Sequence, residues 1–301
     1  MELAIRRSRD GGVIEGDVSE GYGPVVDAFA ANFRARGEVG AALTVYLHGE
    51  RVVDLWGGMA DPRTGRPWTP STPAVVFSCT KGVLAIGAYL LVQEGRLDLD
   101  APVVRYWPRF GQAGKSETTV RWLLTHRAGL PALDRPLTRD EVLAWDPVID
   151  AIEAQAPLWA PGTAHSYHTH SYGWLVGEVI RRVTGASAGS FVRRRLAEPL
   201  GLRLWIGLPS DERDQVAWRL APLPDTDPDA AREIRAALDE PVVSCSATMG
   251  GAFAFPADGD YVTFNDPDIQ AAEIPASNGI ADARSLARLY AACVTPIDGV
   301  R

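Results

Sequence analysis

Residues 78–93 read SCTKGVLAIGAYLLVQ, and the interpretation of the whole sequence begins with this stretch. Its residues are apolar around nearly the whole helical circumference, and Gly95 follows as a stop signal. A helix that is apolar on every side belongs in the interior of a protein. We therefore predict a buried helix that begins with Ser78 and carries Lys81 three residues later.

The i,i+3 spacing of Ser78 and Lys81 puts both side chains on one helical face, with the amine in reach of the hydroxyl. A serine hydroxyl becomes a good nucleophile when a neighbouring base takes its proton. Burial lowers the pKa of a lysine, so that its neutral amine can act as this base. The chain has 28 Arg and only two Lys, the other being Lys115. The pair is the first candidate for nucleophilic catalysis; the alternative is a lysine reaching solvent from a helix start.

Composition excludes several classes of protein. The 301 residues are 46% hydrophobic and 23% charged, as in ordinary globular domains, and the net charge of −8 argues against a nucleic-acid groove or an anionic membrane surface. Cys79, Cys245 and Cys293 are distant from one another and odd in number, which favours reduced thiols over disulfides or zinc. With no apolar leader or membrane-length run, we expect a cytoplasmic protein without cofactor, metal, nucleic-acid or membrane partner.

A second serine motif lies at residues 185–189, GASAG, which fits the pattern G-x-S-x-G. In a nucleophile elbow this pattern follows a strand and precedes its catalytic histidine. Here it follows a predicted helix, and the last histidine of the sequence is His170. We therefore interpret Ser187 as the cap of the next helix.

A histidine-rich loop surrounds Tyr167. His165, His168 and His170 have a spacing that could hold a metal, but no nearby carboxylate or cysteine completes the set. We interpret them as histidines that hydrogen-bond the loop and shape a pocket. The expected substrate-pocket residues are His126, His168, Thr169 and His170.

Tyr167 itself lies in a turn just before the predicted helix 171–183. A tyrosine in a loop mouth near a lysine loses its proton more easily and can act as a general base; the alternative is an ordinary packing tyrosine. Its rival Tyr172 belongs to the apolar stripe of the helix and is predicted to be core. Ser171 is the expected N-cap of that helix, and Gly185 its stop.

The strand signal is confined to the start of the chain and the middle is mostly helical, which predicts an α+β fold. Residues 41–48 and 51–56 form a predicted hairpin that ends at Gly57-Gly58. The remaining predicted elements are helices at 117–125, 189–200, near 229–238 within a surface excursion over 209–241, and at 281–294.

The sequence resembles the serine β-lactamase/penicillin-binding superfamily, and within it the family VIII carboxylesterases, which are relatives of class C β-lactamases. The similar stretches are DLWGGMAD at 54–61, FSCTKG at 77–82, EGRLDLDAPV at 94–103, LLTHRAGLP at 123–131, PGTAHSYH at 161–168, YGWLVGEVIRRVTG at 172–185, EPLGL at 198–202 and SNGIADARSLARLYA at 277–291.

The resemblance implies an antiparallel sheet flanked by helices plus a mostly helical domain, with a cleft between them. We assign residues 1–70 and 277–301 to the first domain, and residues 71–276 to the second. It also implies Ser78 as the acylated nucleophile, Lys81 as its partner, and Tyr167 as the residue that passes the proton to the leaving group.

Two departures from the resemblance matter. Where lactamases have Y-x-N, this chain has Tyr167-His168-Thr169, which lacks an amide and favours ester substrates. The family's third motif, on a strand beyond the SNG segment, lends a backbone N–H to the oxyanion hole, and no residue here can be assigned to it. A sheet built only from the predicted hairpin would be marginal, so we expect residues 1–301 to be one portion of a longer protein. A second chain or a C-terminal fragment would then complete the sheet and the oxyanion hole.

These observations predict a serine hydrolase that cleaves short- or medium-acyl carboxylic esters through an acyl-enzyme. The alternatives within the superfamily are an acyltransferase and an amide or β-lactam hydrolase. The alternative from another class is a non-catalytic protein that keeps the fold and its ligand cleft.

Overall fold

An antiparallel sheet near the N-terminus forms one side of the molecule. The computed structural model describes residues 3–9, 12–220, 239–253 and 261–299, and the single residues 229, 232, 233 and 236. The strand order is β1-β2-β4-β3, and the short β5 pairs with β4. These strands are β1 (Leu3–Arg9), β2 (Gly12–Val18), β3 (Gly40–Leu47), β4 (Glu50–Asp61) and β5 (Arg66–Pro67).

The predicted hairpin is confirmed as β3 and β4, which turn at His48 and Gly49, both at positive φ. Two details of the prediction were wrong. Strand β4 continues past Gly57-Gly58 to Asp61, and β1 and β2 add two strands to the expected pair. The sheet is therefore not the marginal two-stranded hairpin on which the expectation of a longer protein was based.

Strand β2 escaped prediction because a glycine interrupts its apolar alternation. Ile14 and Val18 are buried, but Gly16 between them has φ +137° and packs so closely that a Cβ would lie 2.0 Å from the Asp54 carbonyl oxygen. Only glycine fits there. Helix α1 (Gly23–Ala35) covers this face of the sheet with Val26 and Phe29.

The rest of the described chain is mostly helical. The helices are α2 (Cys79–Gln93), α3 (Val120–Leu124), α4 (Arg139–Leu143), α5 (Asp146–Ala154), α6 (Ser171–Thr184), α7 (Ala188–Val192), α8 (Glu198–Leu200), α9 (Pro241–Thr248), α10 (Pro267–Ala271) and α11 (Ala283–Ala292). Residues 193–197 link α7 to α8 as one π-helical turn, so the predicted helix 189–200 is confirmed. Short 3-10 segments lie at Val103–Arg105, Pro108–Gly114, Ser210–Gln215 and Tyr261–Asn265.

Helix α2 lies in the centre of the fold, as its sequence predicts. Val83, Leu84 and Leu91 have no exposed surface, whereas Tyr89 is about half exposed on the side away from them. A second, small sheet has the order β6-β8-β7 and joins residues that are distant in sequence. Its strands are β6 (Ala74–Val75), β7 (Leu204–Trp205) and β8 (Ile280–Ala281). This sheet brings the segment before β8 alongside the start of α2.

Three further points concern the N-cap of α6, the predicted helix near 229–238, and helices long enough to cross a membrane. The N-cap of α6 is His170 and not Ser171, because the Ser171 hydroxyl donates instead to the Leu130 carbonyl (2.7 Å). The predicted helix near 229–238 lies mostly outside the described residues. Within the described residues, no helix has the length and apolar character needed to cross a membrane.

Candidate active site

The nucleophile candidate stands at the first turn of α2. Ser78 is exposed at the N-cap position, and its side chain makes no capping hydrogen bond, so the hydroxyl is not used by the helix. Phe77 before it has φ +44°, a left-handed conformation that is costly for a side chain of this size. The rings of Phe264 (4.9 Å) and the guanidinium of Arg219 (4.3 Å) pack on Phe77 and hold this bend.

Lys81 is 7% exposed, and its amine lies among three oxygen atoms. Nζ is 3.2 Å from Ser78 Oγ, 2.7 Å from the Thr169 carbonyl oxygen and 3.0 Å from the Ala276 carbonyl oxygen. Burial lowers the pKa of Lys81 to about 7. The predicted Ser78–Lys81 contact is present, and the amine is neutral in a large fraction of molecules near neutral pH.

Residues 276–279 form the wall of the site opposite the tyrosine loop. The Gly279 N–H donates to Thr80 Oγ1 (2.9 Å), and the Val76 N–H donates to the Gly279 carbonyl (2.8 Å). A Cβ on Gly279 would lie 2.4 Å from Thr80 Oγ1, so this close approach to α2 requires glycine. The approach is what delivers the Ala276 carbonyl to Lys81.

Tyr167 lies beside the amine and is 46% exposed; Lys81 Nζ is 4.8 Å from the centre of its ring. The ring of His126 contacts those of Tyr167 and Tyr172 in tilted arrangements, with ring centroids 4.8 and 4.9 Å apart. Tyr172 is 3% exposed, so its predicted place in the core is confirmed, and burial raises its pKa.

The other predicted pocket residues lie at different depths. His168 is fully buried: its Nε2 accepts from the Leu130 N–H (3.1 Å) and its Nδ1 contacts the Ser166 carbonyl (2.7 Å). Its ring has no surface to offer a substrate and instead fixes the loop. Thr169 contributes its carbonyl to Lys81, while its hydroxyl accepts from Ser246 Oγ (3.0 Å).

His170 is likewise buried, between the Ala247 carbonyl (2.9 Å) and Ser277 Oγ (2.7 Å). Burial lowers the pKa of His170 to about 4, and those of His126 and His168 to the same value. These three imidazoles are therefore neutral at physiological pH.

Ser187, the competing serine, lies away from all of these groups. Its hydroxyl caps α7 by accepting from the Ser190 N–H (3.3 Å) and donates to Glu273 Oε1 (2.5 Å). The Gly189 N–H donates to the other oxygen of Glu273 (2.8 Å). The predicted capping role of Ser187 is confirmed.

The second lysine, Lys115, has a structural role. Lys115 has no exposed surface, and its Nζ donates to the carbonyl oxygens of Gln112 (2.8 Å), Glu153 (3.1 Å) and Gln155. Its amine joins the segment Pro108–Gly114 to the end of α5. Of the two lysines, Lys81 is the one placed beside a serine hydroxyl.

Sequence reasoning missed the contributions of Thr80, Ala276 and Gly279. Only the string SNG at 277–279 pointed to this wall, and it gave no role for a backbone carbonyl. Asn278 of that string is structural, because its Nδ2 donates to the carbonyls of Ile269 (2.7 Å) and Ala272 (2.6 Å).

A serine and a buried amine on one helix, with a tyrosine loop beside them, are the arrangement that the sequence resemblance implies. The profile of the family described as Beta-lactamase matches residues 26–299. The chain belongs to the beta-lactamase family. Its fold is the mixed α+β fold of the β-lactamases and transpeptidases.

Three relatives illustrate the similarity. Esterase/beta-lactamase LipL of Mycobacterium tuberculosis is 38% identical over 290 residues, which are 92% of this chain and 64% of that protein. A family VIII carboxylesterase structure superposes with a TM-score of 0.79 at 36% identity, covering 92% of this chain and 70% of that one. A penicillin-binding protein homologue from Caulobacter crescentus gives 0.76 at 37% identity, with the same coverage. The chain thus spans less than two thirds of the mycobacterial relative.

Proposed function

We propose that this protein is a serine hydrolase that cleaves carboxylic esters of short or medium acyl chain through an acyl-enzyme on Ser78. The observation that carries the proposal is the set of partners around Lys81. Two of its three contacts are backbone carbonyls, Thr169 and Ala276, which can only accept hydrogen bonds. A neutral amine has two N–H groups and one lone pair, so the lone pair points to Ser78.

This arrangement makes Lys81 the base for the first step. The Ser78 hydroxyl gives its proton to Lys81 Nζ while Oγ bonds to the ester carbonyl carbon, and the carbonyl oxygen takes the negative charge. The N–H groups of Cys79, Thr80 and Lys81 donate to the carbonyls of Val76, Phe77 and Ser78, and we assign the Ser78 N–H as the donor to this oxyanion. The positive end of the 15-residue helix favours the same charge.

The second step needs an acid for the departing alcohol. We assign it to Tyr167, whose ring lies beside the Lys81 amine and whose side chain is exposed to the cleft. The phenol protonates the leaving alkoxide as the carbon–oxygen bond breaks, and Lys81 returns the proton to the phenolate. Water then attacks the acyl-enzyme by the reverse sequence of proton transfers.

The side chain of Thr169 favours ester cleavage over amide cleavage. Its hydroxyl is engaged with Ser246 and supplies no amide donor to a substrate. The similarity to a family VIII carboxylesterase agrees with this preference, while the mycobacterial relative is named both esterase and beta-lactamase. Transfer of the acyl group to an alcohol in place of water uses the same intermediate.

A panel of p-nitrophenyl esters of increasing acyl length, measured beside a chromogenic cephalosporin, tests the proposal. We expect hydrolysis of the shorter esters, little turnover of the cephalosporin, and loss of both in Ser78→Ala. Turnover of the cephalosporin with no ester hydrolysis would contradict the ester assignment. Binding of esters without turnover would favour the non-catalytic alternative.

We also propose that a segment from outside residues 1–301 extends the sheet at β3 and, at a separate place, supplies a further donor to the oxyanion hole. Strand β3 pairs with β4 on one side, and no other described strand pairs with it. An edge of this kind presents unpaired backbone groups to an incoming strand. Because loss of one oxyanion donor costs about a hundredfold in rate, residues 1–301 alone should be slow. A monomer of residues 1–301 that matches a family VIII carboxylesterase in rate would contradict this.

A further inference from the structure

Two hydrogen bonds tie the Tyr167 loop to a single residue, His126. The Ser166 N–H donates to the His126 carbonyl (3.3 Å), and the His168 N–H donates to His126 Nδ1 (3.0 Å). The two donors are the residues on either side of Tyr167. The backbone that carries the phenol is therefore held at both ends by one partner.

The ring of His126 also contacts two tyrosines of different character. Tyr172 is buried in α6, whereas Tyr167 is 46% exposed. The ring centroids are 4.9 and 4.8 Å away. His126 thus connects the exposed phenol to a rigid part of the core.

The backbone of His126 is itself unusual. Its φ of +59° lies in the left-handed region, directly after α3 ends. Among residues other than glycine it is uncommon, and asparagine, aspartate and histidine adopt it most often; such conformations concentrate at functional sites. Nδ1 can accept the His168 N–H only when it carries no proton. The pKa of about 4 keeps the ring in this neutral form.

We propose that His126 is a positioning residue for Tyr167, and that its Nδ1 fixes the loop so that the phenol stays beside the Lys81 amine. This inference rests on the proposed function, in which Tyr167 protonates the leaving group. It differs from the pocket role expected from the sequence, because His126 acts through the loop. Its loss should lower kcat and leave KM nearly unchanged.

The test compares His126→Asn with His126→Gly. Both residues tolerate a positive φ, but only asparagine keeps an acceptor at the position of Nδ1. With an alkyl ester, whose alkoxide must be protonated, we expect kcat to fall about 10- to 100-fold in the glycine variant and only a few-fold in the asparagine variant. With a p-nitrophenyl ester, whose leaving group departs without a proton, the loss should be smaller.

His126→Gln supplies a second loss variant, because its amide oxygen lies one bond further from the backbone than Nδ1. It is expected to behave like His126→Gly, and it serves if the glycine variant does not fold. Circular dichroism and the melting temperature of each variant confirm folding. An asparagine variant as impaired in kcat as the glycine and glutamine variants would overturn the proposal.

A double-variant cycle separates this inference from the proposed function. In the Tyr167→Phe background, His126→Gly should cost little further activity, because the residue it positions is already gone. An equal loss in both backgrounds overturns the positioning role. Full kcat in His126→Gly, with Ser78→Ala inactive and Tyr167→Phe slowed but measurable, overturns the inference alone. Full activity in Ser78→Ala overturns the proposed function itself.

Discussion

The two serine motifs of this chain have opposite surroundings. Ser78 stands at the N-cap of α2 without capping it, and an amine with a lowered pKa lies 3.2 Å from its hydroxyl. Ser187 stands at the N-cap of α7 and does cap it, and its proton is directed to Glu273. Glu273 in turn accepts from the Gly189 backbone.

The comparison teaches that the surroundings of a serine, more than its motif, decide whether it can react. At Ser187 both the lone pair and the proton of the hydroxyl are used to hold α7 in place. The glycine of GASAG at 189 is a packing requirement, since a Cβ there would lie 2.0 Å from the Ile206 carbonyl oxygen. The Ser78 hydroxyl, in contrast, makes no hydrogen bond that caps its helix.

The largest expected effect is on catalysis by the two serines. Ser78→Ala should lower ester hydrolysis by about a thousandfold or more, because the hydroxyl that forms the acyl-enzyme is gone. Ser187→Ala should retain most of the rate, because its hydroxyl serves the helix. Steady-state rates of both purified variants check this. A folded but inactive Ser187→Ala beside an active Ser78→Ala would invert the assignment.

The second-largest expected effect is that of replacing Lys81, whose amine lies beside Ser78. Lys81→Arg should reduce kcat/KM by about a hundredfold or more, nearly as much as Lys81→Ala, because guanidinium stays protonated and cannot accept the serine proton. Kinetics of the two variants, with melting curves as the folding control, check this. Substantial activity in folded Lys81→Arg would show that Lys81 acts only as a positive charge.

The pH profile of the unmodified protein should follow the same amine. With a pKa of about 7, the neutral base is depleted as pH falls, so kcat/KM should drop about tenfold per pH unit below 7 and level off above it. The neighbouring imidazoles, with pKa values of about 4, stay neutral through this range. A rate independent of pH between about 5 and 8 would contradict a neutral Lys81 as the base.

The smallest effect is on stability at the other serine. Ser187→Ala removes a helix cap and the bond to Glu273, so we expect a loss of about 1 kcal/mol in the free energy of unfolding. Denaturant titration measures it, and Ser187→Thr, which keeps the hydroxyl, is the matched control. Equal stability in all three proteins would show that the motif at 185–189 does not support the fold.

The parts that could be predicted from sequence are those set by local periodicity. The apolar run fixed α2, the i,i+3 spacing placed Lys81 beside Ser78, and Gly185 ended α6 in the left-handed conformation. Strand β2 was missed because its close contact with β4 replaces a side chain with Gly16.

The parts of the site that escaped prediction depend on tertiary contacts. The Ala276 carbonyl reaches Lys81 only after β8 pairs with β6, which no pattern around residue 276 announces. The bend at Phe77 is stabilised by Phe264 and Arg219, which are distant from it in the sequence. His168 and His170 make the predicted loop hydrogen bonds, but the burial that excludes His168 from a pocket depends on partners elsewhere in the chain.

Labelling with a serine-reactive phosphonate, followed by peptide mass mapping, tests the central claim most directly. Formation of the covalent bond requires an activated hydroxyl and does not require a complete oxyanion hole or the correct substrate. We predict a single adduct on Ser78, its loss in Ser78→Ala, strong slowing in Lys81→Arg, and unchanged labelling in Ser187→Ala. An adduct on Ser187, or none on Ser78 in the folded protein, would contradict the account.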